Sequence, residues 1–130
     1  MPADAPDYQD REQILTFEEI TRYVQITLGL GVNDVRLTGG EPLVRKDLYK
    51  LIRSIASIDG IAKLSLTTNA ILLSDQLPSL HSAGLRDINI SLDALDETSF
   101  REATRRPGLA KVLDAVRRCT DLGVRLKLTA

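Results

Sequence analysis

The chain has 130 residues, of which 43% are hydrophobic and 4% aromatic, and this length and composition suit one globular domain and exclude a disordered chain. Its 17 basic and 18 acidic side chains are dispersed, so no basic stripe is present to follow a nucleic-acid backbone. No apolar run approaches the roughly 20 residues that span a bilayer, and the amino terminus has no signal pattern. We therefore expect a cytoplasmic protein with no nucleic-acid or membrane partner.

The amino-terminal part of the chain predicts a loop followed by a helix. Residues 1–15 contain Pro2 and Pro6 and show no hydrophobic periodicity. Thr16-Phe17-Glu18-Glu19 has the pattern of a capping box, and apolar residues recur after it at helical spacing until Gly29 and Gly31. The ordered domain is thus expected over residues 16–130.

Strands and helices then alternate along the chain. The strands are predicted at Asn33–Thr38, Lys63–Thr67, Arg86–Leu92 and Val124–Thr129. The second helix should bury Leu48, Leu51, Ile52, Ile55 and Ile58. The third helix should be capped by Ser74, with Pro78 in or just after its first turn. Asp96 should cap a short turn containing Phe100, which Pro107 ends; the last helix should bury Leu109, Val112, Leu113, Val116 and Cys119.

Helix-length connections between strands indicate a parallel sheet joined by right-handed crossovers, and therefore an α/β fold. Each strand is apolar at alternate positions only, which leaves two architectures open. One is an antiparallel sheet with a wet face, which the long connections disfavour. The other is a parallel (βα) barrel, present here in part with four strands, whose polar face lines a cavity. That face carries Arg36, Thr38, Lys63, Ser65, Thr67, Asn89, Ser91, Asp93, Arg125, Lys127 and Thr129.

Four cations on this polar face have no evident partner in the sequence pattern: Arg36, Lys63, Arg125 and Lys127. Buried or enclosed charges need a counter-charge, so we expect a phosphorylated or carboxylated ligand in the cavity. In such barrels chemistry gathers at the carboxyl ends of the strands. Polar residues occur there in all four predicted strands.

The first strand runs into Gly39-Gly40-Glu41-Pro42. Glycines without Cβ atoms allow a sharp turn and let a ligand approach backbone amides and carbonyls, while the proline biases Glu41 to an extended conformation. Taken alone, the four residues could equally form a plain strand-to-helix turn. Their context decides between the two interpretations.

Three stretches in this order resemble the radical SAM superfamily: Leu37–Leu43 around the two glycines, Leu66-Thr67-Thr68-Asn69, and Ile90–Asp96. The last stretch, with Phe100 after it, is most similar to the GTP cyclases that begin molybdenum cofactor synthesis. The resemblance implies a lyase that uses S-adenosylmethionine and a 4Fe-4S cluster to form a deoxyadenosyl radical, which abstracts hydrogen from the ribose of GTP. A homodimer of the complete enzyme is compatible with it.

The resemblance also implies roles for particular residues. Gly40, with Glu41 nearby, and Ser91 would contact S-adenosylmethionine, whereas Arg36, Thr67 and Lys127 would contact GTP. Ala70 stands where the family usually has glycine, and Thr129 where asparagine is common. No catalytic side chain and no metal ligand is assigned in this chain.

One departure from the family concerns the cluster. The three cysteines of its C-x3-C-x2-C motif are absent, and Cys119, the single cysteine, lies on a helical apolar stripe. We expect the chain to be a fragment that begins just after this motif and lacks the carboxyl-terminal half, and to form no cluster and no radical alone. Two further functions remain open: a fragment of a peptide-modifying radical SAM enzyme, and a nucleotide-binding module without catalysis.

Overall fold

The computed structural model describes residues 15–91 and 108–129. The loop predicted before residue 15, the end of the third strand at Leu92, and the turn with Asp96 and Phe100 lie outside the described residues. Asp93 lies outside them too. The elements in chain order are α1 (Phe17–Gly29), β1 (Asp34–Leu37), a 3-10 turn (Pro42–Val44), α2 (Leu48–Ala56), β2 (Lys63–Thr68), α3 (Leu73–Ala83), β3 (Asp87–Ser91), α4 (Gly108–Asp121) and β4 (Arg125–Thr129).

The four strands form one sheet in the order β1-β2-β3-β4, and every neighbouring pair is parallel. This confirms the α/β class and excludes the antiparallel alternative. Each helix packs against the next, α1 on α2, α2 on α3 and α3 on α4. None of the helices in the described part of the chain is long and apolar enough to cross a membrane.

The core lies between the helices and one face of the sheet. On β2 and β3 the apolar positions are buried, with Leu66 and Ile90 fully inaccessible, and the helices contribute side chains such as Ile52, Leu77 and Cys119. Because successive strands bury the same alternate positions, the helices cover one face and the polar face is left open. This arrangement is that of part of a (βα) barrel.

The capping box of α1 is present as predicted. Thr16 Oγ1 accepts a hydrogen bond from the Glu19 backbone N–H at 3.0 Å, and Glu19 Oε1 accepts one from the Thr16 N–H at 2.9 Å. These reciprocal bonds satisfy two of the donors that every helix start leaves free. The helix entering β1 is therefore fixed by its own sequence.

The prediction for α3 was wrong in its starting point. The helix begins at Leu73, after Leu72, and no side chain caps it. Ala70 adopts φ +68°, and its carbonyl accepts the Leu73 N–H at 3.2 Å, so the backbone itself turns into the helix. Pro78 lies inside the helix, just after its first turn, which is within the predicted range.

Several smaller predictions also differ from the structure. Strand β1 is shorter than predicted at both ends, β2 extends one residue further to Thr68, and β4 begins at Arg125. Strand β3 begins one residue later than predicted, at Asp87. Leu113, expected in the core, is 57% exposed, because Ala115 occupies the buried face of α4 between Val112 and Cys119.

Candidate functional site

The turn after β1 leaves room for a ligand. Gly39 has φ +127°, a conformation that residues other than glycine rarely adopt, while a Cβ built on either Gly39 or Gly40 would meet no atom of the described residues within 4 Å. The open space at Gly40 means that steric packing within the protein does not require glycine there. The missing side chain leaves the backbone at this turn open to the approach of a ligand.

Glu41 ties this turn to the end of β2. Its backbone is extended, with φ −96° and ψ 110°, as Pro42 predicts. Oε2 accepts hydrogen bonds from the Leu43 N–H (3.0 Å) and the Thr68 hydroxyl (2.6 Å), and Oε1 accepts one from the Asn69 N–H (2.7 Å). The carboxylate therefore joins the carboxyl ends of two strands. A charged acceptor with three donors is among the strongest polar contacts in proteins.

The carboxyl ends of β1, β2 and β3 form one cleft, which we call the upper cleft. It brings together Gly40, Glu41 and Ser91, the residues that the resemblance associates with S-adenosylmethionine. The remaining lining residues are Thr38, Gly39, Thr67, Thr68 and Asn69. Residues that are up to 53 positions apart in sequence thus share one concave surface, although the contact of Gly40, Glu41 and Ser91 with a cofactor stays a prediction.

A second cleft, the polar-face cleft, lies on the open side of the same sheet. It is lined by Arg36, Lys63, Ser65, Asp87, Ile88, Asn89, Arg125, Leu126 and Lys127. It contains Arg36 and Lys127, two of the three predicted GTP contacts, on the outer strands. No carboxylate among the described residues lies within 4 Å of either cation. Within the described part of the chain, both cations are therefore available to an anionic ligand.

Thr67, the third predicted GTP contact, lies in the upper cleft. It nevertheless connects the two clefts, because Asn89, which lines the polar-face cleft, donates from Nδ2 to the Thr67 Oγ1 in a long hydrogen bond of 3.5 Å. The Thr129 hydroxyl donates to the Oδ1 of the same asparagine at 2.7 Å. A row of polar groups therefore marks the boundary between the two clefts.

The expectation of four unpaired cations was wrong for Arg125. Its Nε and Nη2 donate to the two carboxylate oxygens of Asp87 at 2.7 and 2.9 Å. The hydrogen bond from Arg125 is the main cause that holds the pKa of Asp87 below its usual value. Burial of the carboxylate opposes this shift, whereas the positive charges of Arg125 and Lys63 add to it. Asp87 begins β3 and lines the polar-face cleft. Because it lies two positions before Asn89, the alternation of the strand could have predicted that both residues share this face.

The sequence pattern of the Radical SAM superfamily matches residues 4–130. The chain belongs to the radical SAM superfamily. It is 46% identical over 132 residues to the GTP 3',8-cyclase of Rhodopirellula baltica, covering 100% of this chain and 37% of that protein. It is 45% identical over 124 residues to the GTP 3',8-cyclase of Alkaliphilus oremlandii, covering 95% of this chain and 39% of that protein.

A eukaryotic protein is similar as well. The chain is 42% identical over 116 residues to the Caenorhabditis elegans molybdenum cofactor biosynthesis protein moc-5, a match that covers 89% of this chain and 19% of that protein. The chain thus spans about two-fifths or less of the curated relatives it matches.

Radical SAM proteins use S-adenosylmethionine and a 4Fe-4S cluster, and the chain's own residues suit only the first. The glycine turn offers the open backbone that a cofactor needs. Cys119, in contrast, is fully buried in the core, and burial raises the pKa of its thiol to about 11. No group of three or more His, Cys, Asp or Glu in the described ranges is placed to hold a metal. The single cysteine cannot supply three thiolate ligands.

Two hydroxyl-bearing residues have roles in the geometry that the sequence did not indicate. Ser65 is 6% exposed, and its Oγ has no hydrogen-bond partner among the described residues, although it lines the polar-face cleft. Thr68 is 2% exposed, and its hydroxyl both donates to Glu41 and accepts the Ala70 N–H at 3.0 Å. The hydroxyl of a strand residue carries no sequence signal for such roles, because they depend on the neighbouring strands.

Proposed function

We propose that this chain supplies the cofactor-binding turn and part of the nucleotide-binding surface of a GTP 3',8-cyclase. The observation that carries the proposal is the placement of two clefts on one sheet face: the upper cleft contains Gly40 and Ser91, and the polar-face cleft contains Arg36 and Lys127. The similarity to cyclases over nearly the whole chain supports the choice of GTP as substrate.

In this proposal the upper cleft binds S-adenosylmethionine. Backbone groups of the Gly39-Gly40 turn contact the methionine end of the cofactor, and Ser91 provides a hydroxyl from β3. Glu41 uses its carboxylate within the protein, so it fixes the turn against the end of β2 and acts on the cofactor through that turn. When bound, S-adenosylmethionine supplies the radical precursor that the family's chemistry requires.

The polar-face cleft binds GTP. Arg36 and Lys127 lie on the outer strands of the sheet, which are roughly 14 Å apart at about 4.8 Å per neighbouring pair. Lys127 also lies two positions further along its strand than Arg125, the residue level with Arg36, so the two Cα atoms are separated by roughly 16 Å. Two long cationic side chains at this separation can contact different parts of one nucleotide. Thr67, at the boundary, would then face the sugar where the substrate meets the cofactor. The protein's contribution is positioning.

Calorimetric titration of the chain with GTP and with S-adenosylmethionine tests the proposal. Separate clefts predict that each ligand still binds when the other is saturating. The proposal would be contradicted if the two ligands competed for binding. It would also be contradicted if the chain bound S-adenosylmethionine but did not bind GTP.

A second function, a nucleotide-binding module without catalysis, is compatible with this chain taken by itself. The only cysteine of the chain lies in the core. Anaerobic reconstitution with iron and sulfide cannot distinguish the two functions in this chain, because its single cysteine cannot hold a cluster. A longer protein is needed for that test. We therefore propose a chimaera in which this chain replaces the matching segment of the R. baltica relative. Restored consumption of GTP supports the cyclase, and a chimaera that binds both ligands without turnover supports the module.

A further inference from the structure

The register of the sheet aligns a row of four polar residues across the polar-face cleft. Arg36 lies opposite Ser65, Ser65 opposite Asp87, and Asp87 opposite Arg125. All four residues line the cleft, and Lys63 and Lys127 flank the row, each two positions away on the same face of β2 and β4. The row therefore crosses the whole described sheet in one line.

Ser65 is the least exposed polar residue of this row. It is 6% exposed, yet its hydroxyl oxygen has no hydrogen-bond partner among the described residues. Buried polar groups in proteins are almost always hydrogen-bonded, and leaving one unpaired is costly. A hydroxyl that lines a cationic cleft in this state is suited to donate to an anion.

Arg125 is held in place beside it. The Asp87 carboxylate, which is 12% exposed, fixes one edge of the guanidinium by two hydrogen bonds, whereas the arginine side chain is 75% exposed. A guanidinium has five N–H donors, and this pair uses two of them. The other donors can contact a ligand without the cost of first ordering the side chain.

The charge of the cleft favours an anion. Four cations and one carboxylate line it, which gives these residues a net charge of +3. Arg125 and Lys127 are two positions apart on the same face of β4, or roughly 7 Å along the strand. Two cations at this spacing can contact successive phosphates of one chain.

We propose that Ser65 and Arg125 form a phosphate-binding subsite for the phosphate chain of a nucleoside triphosphate, with Asp87 as the positioning residue of Arg125. The proposal rests on the function proposed above and assigns to it residues that the family resemblance does not. It makes the row a determinant of specificity: triphosphates bind more tightly than monophosphates because Ser65 and Arg125 contact phosphates that a monophosphate lacks.

Titrations of the chain with GTP, GMP and inorganic tripolyphosphate test this subsite. We expect Ser65→Ala and Arg125→Gln each to weaken GTP and tripolyphosphate binding by roughly tenfold or more, to change GMP binding much less, and to leave S-adenosylmethionine binding unaltered. Arg118→Gln is the matched control, because Arg118 forms a similar pair with Asp114 (2.9 Å) on the exposed side of α4. Circular dichroism of each variant checks that it is folded.

Asp87→Asn tests whether Asp87 holds Arg125 in position for the ligand or only competes with the ligand for its charge. If Asp87 only competed with the anion for Arg125, its neutralisation would strengthen tripolyphosphate binding. A positioning residue predicts the opposite, weaker binding, together with loss of the dispersed Arg125 Nε–H resonance in the NMR spectrum of the free chain. Stronger binding by Asp87→Asn overturns the positioning role.

The outcomes also separate this subsite from the proposed function. Unchanged GTP affinity in folded Ser65→Ala and Arg125→Gln overturns the subsite while GTP binding by the wild type stands. Binding of tripolyphosphate that depends on Ser65 and Arg125, without binding of GTP, supports the subsite and contradicts the cyclase.

Discussion

The Thr68 hydroxyl donates a 2.6 Å hydrogen bond to Glu41 Oε2 across 27 residues of sequence. This contact joins the turn after β1 to the end of β2, and the Asn69 N–H adds a second bond to the same carboxylate at 2.7 Å. Two loops that line the upper cleft are thus held together by one side chain. The cleft is fixed before any ligand binds, which lowers the entropy cost of binding.

Thr68→Val tests this connection. Valine has nearly the shape of threonine but leaves the buried Ala70 N–H without its acceptor and Glu41 with one donor fewer. We expect the free energy of unfolding to fall by about 2 kcal/mol. Urea denaturation measures it, and Thr68→Ser, which keeps the hydroxyl, is the control. Equal stability of the valine and serine variants would show that the hydroxyl contributes nothing.

Gly84→Ala should strongly destabilise the chain. Gly84 ends α3 with φ +118°, and a Cβ on it would lie 2.8 Å from the Cβ of Ala56. Backbone strain and overlap together predict a loss of about 2–4 kcal/mol. Gly29→Ala is the matched control, because Gly29 lies within α1 and has open space around it. Its stability should be unchanged or raised by up to about 1 kcal/mol, and similar losses in both variants would contradict this explanation.

Hydrophobic periodicity and capping patterns were sufficient to predict the architecture. The capping box at Thr16, the four strands and their parallel arrangement follow from contacts that are local in sequence or from the length of the connections. The start of α3 could not be predicted in this way. It depends on Ala70 adopting a left-handed conformation, which alanine rarely does, inside a loop whose N–H groups bond to Glu41 and Thr68.

The sequence predicted which residues share the polar face, but it did not predict which of them pair with one another. Alternation placed Arg36, Lys127 and Ser65 on one face, and the structure confirms that they share a cleft. The ion pair of Asp87 with Arg125 depends on the register between β3 and β4, which are separated by 38 positions in sequence. Register is set by the packing of the whole sheet, so periodicity within a single strand does not contain it.

Ser65→Ala should raise stability even as it weakens phosphate binding. The buried Ser65 hydroxyl has no partner among the described residues, so removing it also removes the cost of burying an unpaired polar group. We expect the free energy of unfolding to rise by about 1 kcal/mol. Ser54→Ala is the control, because the Ser54 hydroxyl is exposed and bonds the Lys50 carbonyl at 3.0 Å. Its effect should stay within about 0.5 kcal/mol. A loss of stability in Ser65→Ala would show that the hydroxyl is already satisfied in the free chain.

The pair of Asp87 with Arg125 should make stability depend on acid pH. The pKa of Asp87 is lowered from 3.8 in the folded chain, chiefly by the hydrogen bond from Arg125, so the unfolded state binds more protons at low pH. The pair's contribution is therefore present above about pH 4 and is lost as the pH falls through the folded pKa.

Urea denaturation at several values between about pH 5 and pH 3 measures this dependence. Asp87→Asn and Arg125→Gln should each flatten the acid limb of the stability curve, and the double variant should add nothing further. A slope in Asp87→Asn equal to that of the wild type would assign the dependence to other carboxylates.

The two-cleft arrangement predicts that binding of the two ligands can be lost separately. Arg36→Ala and Lys127→Ala each remove a cation from the polar-face cleft, so GTP affinity should fall by roughly ten- to 150-fold, with little change for S-adenosylmethionine. Gly40→Val should do the reverse. The added side chain meets no atom of the described residues, so the fold should stay intact, but it blocks the approach of the cofactor to the backbone.

Calorimetric titration of both ligands against Arg36→Ala, Lys127→Ala and Gly40→Val is the most direct measurement of this separation. The proposed function predicts weaker GTP binding in the first two variants and weaker S-adenosylmethionine binding in the third. Unchanged GTP affinity in both Arg36→Ala and Lys127→Ala would contradict the assignment of the polar-face cleft to the nucleotide.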